Sequence, residues 1–318
     1  MRTRHTLLAS GALLVSVVMS SGARSMLPVQ TDRPRDASAR TDAEDRRPWL
    51  RDYHVRDEDT IVRTLAFAGT GDRTLDVRAI DGSIRVVGAD RSDVQLYVHR
   101  VVRAETDDDL DAADHEVTLD IADGATRLEA IVRARDREVC GEPSPTGQNH
   151  WYRPHYTVTY DFAIEVPRDT RLRLCTINGR EILIEGTRGG FDLENINGRI
   201  TMPNVSGSGR ARTVNGPVIA TFVDAPREAT EFKTVNGDVI VGFSGDLSAD
   251  LKMKTFNGGL FTDFDVQALP QPVAAAEQRN GRFVFRSNQF THVRAGRGGP
   301  ELTFETLNGS VRVVRAVR

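Results

Sequence analysis

The dipeptide Asn-Gly recurs at residues 178, 197, 215, 236, 257, 280 and 308. The first five occurrences are 19, 18, 21 and 21 residues apart. A turn-forming dipeptide at a near-constant interval is the signature of an internal repeat, and it limits the fold more than any other feature of the chain. Aligned on Asn, the flanking residues form columns. Ile177, Ile196, Val214, Val235, Phe256 and Leu307 stand one residue before it, and Thr176, Asn195, Thr213, Thr234, Thr255 and Thr306 two before. Leu174, Leu193, Ala211, Phe232, Met253 and Phe304 stand four before, and Ile200, Val218, Val239, Leu260 and Val311 three after. The unit at Asn178 has one extra residue and uses Ile182, whereas Asn280 lacks the columns and reads as a loop turn. A further unit lies upstream in Val77–Gly88, with Asp81-Gly82 in place of Asn-Gly.

Alternation on both sides of each Asn-Gly predicts short strands with one buried face. A string of β-hairpins would suit a type I′ turn. It would, however, put Val235 on the polar face with Lys233 and Asp238. A stack of coils removes that conflict, because the residue before Asn can turn inward at a corner. Equivalent residues would then repeat about every 4.8 Å. Stacked Asn amides, Asn178, Asn197, Asn215, Asn236, Asn257 and Asn308, would bond up the axis as a ladder, and the Thr column would do the same. The expected fold is all-β: a β-solenoid-like stack of 18–21-residue coils with Asn-Gly corners, and an N-terminal β-rich cap with one short helix.

Residues 1–23 combine Arg2 and Arg4, an apolar run from Leu7 to Met19, and small residues at Ser21–Ala23. This is the pattern of a secretory signal peptide, and the run is shorter than the roughly 20 residues that span a membrane. No Cys follows it for lipid attachment, and no later segment of the mature chain could cross a bilayer. Residues 24–60 are polar and poor in aliphatics, as in a flexible leader. Residues 61–170 are expected to form the β-rich cap, with the helix near Glu105–Glu116. Residues 171–318 are expected to form the repeat array, with an insertion at 264–300. An exported chain, periplasmic or secreted, follows. The net charge of −3 gives no electrostatic footprint for nucleic acid.

Cys140 and Cys175 are the only cysteines. An even pair in an exported chain points to a disulfide. The alternatives are a zinc site using Cys140, His150, His155 and Cys175, whose spacing fits no common signature, or two free thiols. No His pair has metalloprotease spacing, and neither a G-x-S-x-G motif nor a phosphate-binding glycine loop is present. No catalytic residue, cofactor site or metal site is therefore assigned. Asp263 and Asp265 are a carboxylate pair of the kind used on glycosides, although such pairs are common on exposed strands. Three residues before Asn stand Cys175, Glu194, Arg212, Lys233, Lys254 and Glu305. Stacked in chain order, Arg212, Lys233 and Lys254 would form a short stripe of cations. Such a stripe is either a solvated face or a contact for an acidic envelope glycan.

The T-Φ-N-G-x-Φ-x-Φ units (Φ, apolar), the entry at Val166-Pro167 and the upstream "GSIRVVGAD" resemble the bacterial putative-adhesin family of unknown function. The resemblance covers about Thr74 to Val313, with departures at 136–155 and 264–300. It implies an exported, non-enzymatic binding or structural module of the cell envelope on a solenoid-like domain. A carbohydrate-active enzyme on a β-helix is the alternative by fold, and an accessory of envelope-stress signalling is the alternative by family.

Overall fold

The computed structural model describes residues 53–69, 71–135, 140, 155–270, 276–279, 282–285 and 290–316. The signal peptide, most of the leader, His150 and Asn280 lie outside the described residues. Strands β1 (Val55–Ala66), β2 (Thr74–Asp81), β3 (Ile84–Ala89) and β4 (Asp93–Ala104) precede helix α1 (Asp107–Glu116). Strands β5 (Val117–Asp123), β6 (Arg127–Ala134) and β7 (Tyr156–Pro167) follow it. The repeats run as β8 (Arg171–Asn178) with β9 (Glu181–Glu185), β10 (Phe191–Asn195) with β11 (Arg199–Val205), and β12 (Gly209–Thr213) with β13 (Val218–Phe222). Next come β14 (Thr230–Lys233) with β15 (Val239–Phe243), and β16 (Ala249–Lys254) with β17 (Leu260–Thr262). After β18 (Val266–Ala268), β19 (Ala276–Arg279), β20 (Arg282–Phe285) and β21 (Thr291–Ala295), the last repeat is β22 (Glu301–Glu305) with β23 (Val311–Arg315).

The fold is nearly all-β, in two large mixed sheets. One has the order β1-β4-β7-β3-β9-β11-β13-β15-β23-β17, the other β18-β21-β16-β22-β14-β12-β10-β8-β2-β6-β5. The strands before and after each Asn-Gly thus belong to different sheets and do not pair as hairpins. Within each sheet the repeat strands are parallel and in register. Leu174 aligns with Leu193, Leu193 with Ala211, Ala211 with Phe232, Phe232 with Phe304, and Phe304 with Met253. On the facing sheet Ile84, Ile182, Ile200, Val218, Val239 and Val311 align in the same way, and all six are fully buried. Parallel strands need a crossover connection, and here that crossover is the strand in the opposite sheet.

The core between the sheets is filled by these columns and by rings that follow their register. Phe232 stacks on Phe304 with centroids 5.5 Å apart, and Phe222 stacks on Phe243 at the same distance. Phe222 also meets Phe232 edge-on at 5.8 Å. The small Ala211 column position, beside Phe232, is where the larger rings find room.

Two boundaries and the order of one repeat differ from those expected. Val55–Thr60, assigned to the leader, already form the start of β1, which pairs antiparallel with β4 along its whole length. That strand lies at a sheet edge, where backbone bonds rather than buried side chains hold it, so its polar sequence reads as unstructured. Nor is there a break at residue 170: β2 and β3 pair in register with β8 and β9, so Thr74–Ala89 belong to the repeat array. Third, the last repeat is not last in space. β22 lies between β14 and β16, and β23 between β15 and β17.

Antiparallel strands flank the parallel array at both ends. β4 and β7 pair antiparallel beside β3, and β5 pairs antiparallel with β6. At the far end β21 pairs antiparallel with β16 and with β18. Such additions cover strand edges that would otherwise be open to pairing. Helix α1 opens with Thr106, whose hydroxyl accepts from the Asp109 N–H, and with Asp107, Asp108 and Asp109 in its first turn, where the helix dipole favours acids. The fully buried Asp76 pairs with Arg78 of its own strand at 3.0 Å and ties β2 to β6 through Arg127 at 2.5 Å.

Candidate functional site

The three signature residues of each repeat have separate tasks at the corner. The Asn side chains form one hydrogen-bonded column. Asn178 donates to Asp81 Oδ1, Asn197 to Asn178, Asn215 to Asn197, and Asn236 to Asn215, each at 2.8 Å. The column continues through Asn308 donating to Asn236 at 2.7 Å and Asn257 donating to Asn308 at 2.6 Å. These amides are exposed, so each bond contributes a net of about 0.5–1.5 kcal/mol at most. Each amide keeps a second N–H and a second lone pair outside the column.

The Thr hydroxyls do not bond to one another, as a Thr ladder requires. Each turns inward and donates to a glycine carbonyl of the adjacent repeat: Thr213 to Gly198 O, Thr234 to Gly216 O and Thr255 to Gly309 O at 2.7 Å, and Thr306 to Gly237 O at 2.8 Å. Asn195, which replaces Thr in its repeat, serves the same purpose by donating to Gly179 O at 3.0 Å. Glycine is required by closeness. A Cβ on Gly237 would lie 2.3 Å from Gly216 O, and its φ of +155° is one that other residues avoid.

The apolar residue before Asn is half-buried in three repeats, at Ile177, Ile196 and Val235, and faces outward in the other three. Thr213, Thr234 and Thr306 are at most 4% exposed, whereas Val214, Leu307 and Phe256 are 38%, 46% and 76% exposed. The backbone explains this: the carbonyls of Ile177, Ile196, Val214, Val235 and Leu307 accept from the Asn N–H of the next repeat at 2.8 Å. That bond fixes the backbone of the corner, with the hydroxyl residue inside and the apolar residue at the rim. The face therefore carries an amide column beside an apolar ridge, which widens toward Phe256.

The expected stripe of three cations is not formed. Because the last repeat enters between its predecessors, Glu305 lies between Lys233 and Lys254 and pairs with both, at 2.9 and 3.4 Å. Burial pushes the Glu305 carboxyl up, but the two ammonium groups outweigh it and hold the carboxyl below the usual range. Arg212 bonds Glu231 at 2.6 Å. Chain order had placed Lys233 next to Lys254, and like charges at strand spacing repel; the intervening Glu305 removes that repulsion.

Cys140 and Cys175 form a disulfide, with an S–S distance of 2.07 Å and Cα atoms 5.9 Å apart. Both sulfurs are thereby spent, which overturns the zinc and free-thiol alternatives; of the zinc set, His155 bonds Glu105 at 2.7 Å. Among the described residues no group of three or more His, Cys, Asp or Glu is placed to hold a metal, and no helix is long and apolar enough to cross a membrane. Asp263 and Asp265 fall in the turn between β17 and β18 rather than on a strand, and Asp263 accepts from the Arg315 N–H at 3.1 Å.

No protein-family model matches the chain. No curated protein matches it either. Among solved structures, similarity is found to a putative cell adhesion protein from Clostridium sporogenes, at 8% identity and a TM-score of 0.42, over 82% of this chain and 100% of that one. A putative adhesin from Bacteroides fragilis is similar at 9% identity and a TM-score of 0.31, over 81% and 97% of the two chains. A putative lipid binding protein from Parabacteroides distasonis is similar at 10% identity and a TM-score of 0.25, over 82% and 97%.

Proposed function

We propose that the chain is an exported, non-enzymatic binding module of the cell envelope, adhesin-like, built as a two-walled β-solenoid whose Asn-Gly corners form a contact face for glycans. The solenoid reading is supported by the parallel, in-register pairing of successive repeats in both sheets. Export is supported by the N-terminal residues 1–23 and by the disulfide.

The observation that carries the function is the exposed ridge. At the position between Thr and Asn, Ile177, Ile196 and Val235 are half-buried, Ile177 against the core, but Val214, Phe256 and Leu307 are exposed and apolar all the same. Val214, Leu307 and Phe256 stand at the surface beside amides with free donor and acceptor capacity. A sugar chain matches this pairing: its C–H faces pack on apolar side chains and its hydroxyls bond to amides.

The full chain should be retained by isolated bacterial envelope fractions, without releasing soluble reducing ends. Changing Val214, Leu307 and Phe256 to Ser should lower that retention at an unchanged melting temperature. Released reducing ends would instead favour a carbohydrate-active enzyme, and undiminished retention of the triple variant would remove the corner face from the account.

A further inference from the structure

The connections on the opposite side of the repeats, from the second strand of one to the first strand of the next, form two adjoining grooves. One, of about 540 Å³, is lined by Arg73, Asp90, Arg91, Arg168, Thr170 and Arg188. The other, of about 370 Å³, is lined by Arg171, Arg188, Ser206, Ser208, Asp224 and Arg227. Arg188 belongs to both.

The guanidinium groups other than that of Arg73, which lies over the Phe67 ring at 5.6 Å, fall into two kinds. Arg168 is committed to Asp90 at 2.9 Å and to Gly186 O at 3.1 Å. Arg91 is committed to Asp93 at 2.9 Å and Glu165 at 2.5 Å. Among the described residues Arg171, Arg188 and Arg227 have neither a salt bridge nor a side-chain hydrogen bond, and all three are exposed. Their field is felt by a neighbour: the bond from Arg168 holds the Asp90 carboxyl below its ordinary range, and Arg188 adds to the effect. In the first groove Thr170 is 1% exposed and its Oγ1 has no hydrogen-bond partner.

The spacing follows from the strand register. Arg171 begins β8, Arg188 lies in the connection from β9 to β10, and Arg227 in the connection from β13 to β14. At about 4.8 Å per strand, the three cations are offset by roughly 5 and 10 Å along the array. The connection between the last two carries Ser206 and Ser208. Ser206 donates to Asp224 at 3.0 Å, and Ser208 Oγ accepts from the N–H groups of Arg227 and Glu228 at 3.2 and 3.1 Å.

We propose that these grooves are an anion-binding site for an acidic polysaccharide, a glycan whose carboxylate or phosphate groups are separated by neutral, hydroxyl-bearing stretches. Three unpaired guanidinium groups give each acid group a fork-shaped donor. Asp224 and Glu228 line the same groove and repel a polymer whose acid groups follow one another with no sugar ring between them, as in polyphosphate, while accepting bonds from sugar hydroxyls. Exposed contacts of this kind are weak and are screened over roughly 8–10 Å near physiological ionic strength.

The test uses the full chain on immobilised polygalacturonate, with polyphosphate as the densely charged probe and dextran as the neutral one. Polygalacturonate should retain the protein in low salt and release it as salt rises, polyphosphate should retain it less, and dextran not at all. R171S/R188S/R227S should weaken retention about tenfold at an unchanged melting temperature. A control that removes the same charge elsewhere, R63S/R103S/R135S, should bind as the parent does. Parent-like binding by the groove variant, an equal loss in the control, or stronger binding to polyphosphate would each overturn the proposal. The grooves lie away from the Asn-Gly corners. Loss of envelope retention with intact polygalacturonate binding would therefore count against the corner face alone, and the reverse against the grooves alone.

Discussion

Replacing Phe232 by Ala lowers stability by about 3–5 kcal/mol, the usual loss for a large aromatic side chain removed from a close-packed interior. Phe232 is fully buried. Its ring lies 5.5 Å from Phe304, 5.8 Å from Phe222 and 6.4 Å from Phe191, so truncation leaves a void walled by three rings from three repeats. The neighbours cannot close it without shifting register in both sheets. The matched comparison is Phe256→Ala, a Phe of the same repeat family that is 76% exposed; its loss should stay within about 0.5 kcal/mol. Both are read from chemical denaturation midpoints at constant slope. Similar losses for the two would mean that the inner and outer faces of the repeats have been assigned wrongly.

Loss of the disulfide is the second large effect. The bond closes a loop between residues 35 apart in sequence, and in the chain-entropy description a loop of that length contributes about 3–4 kcal/mol. It joins β8, inside the repeat array, to the connection between β6 and β7. C140S/C175S should therefore unfold at lower denaturant while retaining the β-rich circular dichroism of the parent. Reductant should move the parent to the midpoint of the variant and leave the variant where it is. A parent midpoint insensitive to reductant, with both thiols then accessible to alkylation, would show that the bond contributes nothing to stability.

How far the sequence could be read depended on which physical signal each feature left in it. Buried columns four before and three after Asn were legible because burial on a strand face imposes alternation, and the columns pair in register. The corner was misread at two positions, since periodicity shows which residues recur and not which way they face. Val235 and Thr234 both recur; a hydroxyl that can reach a glycine carbonyl is the one that goes inside. The position of the last repeat was hidden for a different reason. Periodicity runs along the chain, and the excursion after β17 lets the chain return to a place earlier in the stack. One signal did exist: Lys233 and Lys254 share a column with Glu305, and acid between two bases is the arrangement that avoids like-charge neighbours. The arginine-lined grooves left no cationic column. Arg188 and Arg227 both stand nine residues before Asn, but that position is Asp169 and Ser206 in two neighbouring repeats, and Arg171 stands seven before. The polar stretch Val55–Thr60 was lost to the leader because an edge strand held by backbone bonds needs no apolar pattern.

The ladder, the neutralised lysines and the aromatic core all depend on the order of the repeats in space. Cysteine cross-linking tests it directly. Glu231 is the register partner of Thr303, and Thr303 of Lys252, which leaves Glu231 and Lys252 two strands, or about 10 Å, apart. A disulfide needs Cα atoms within about 7 Å. E231C/T303C should form a new intramolecular disulfide on oxidation, identified by peptide mapping beside the native one, and E231C/K252C should form none. A cross-link in E231C/K252C with none in E231C/T303C would place the repeats in chain order and contradict the account.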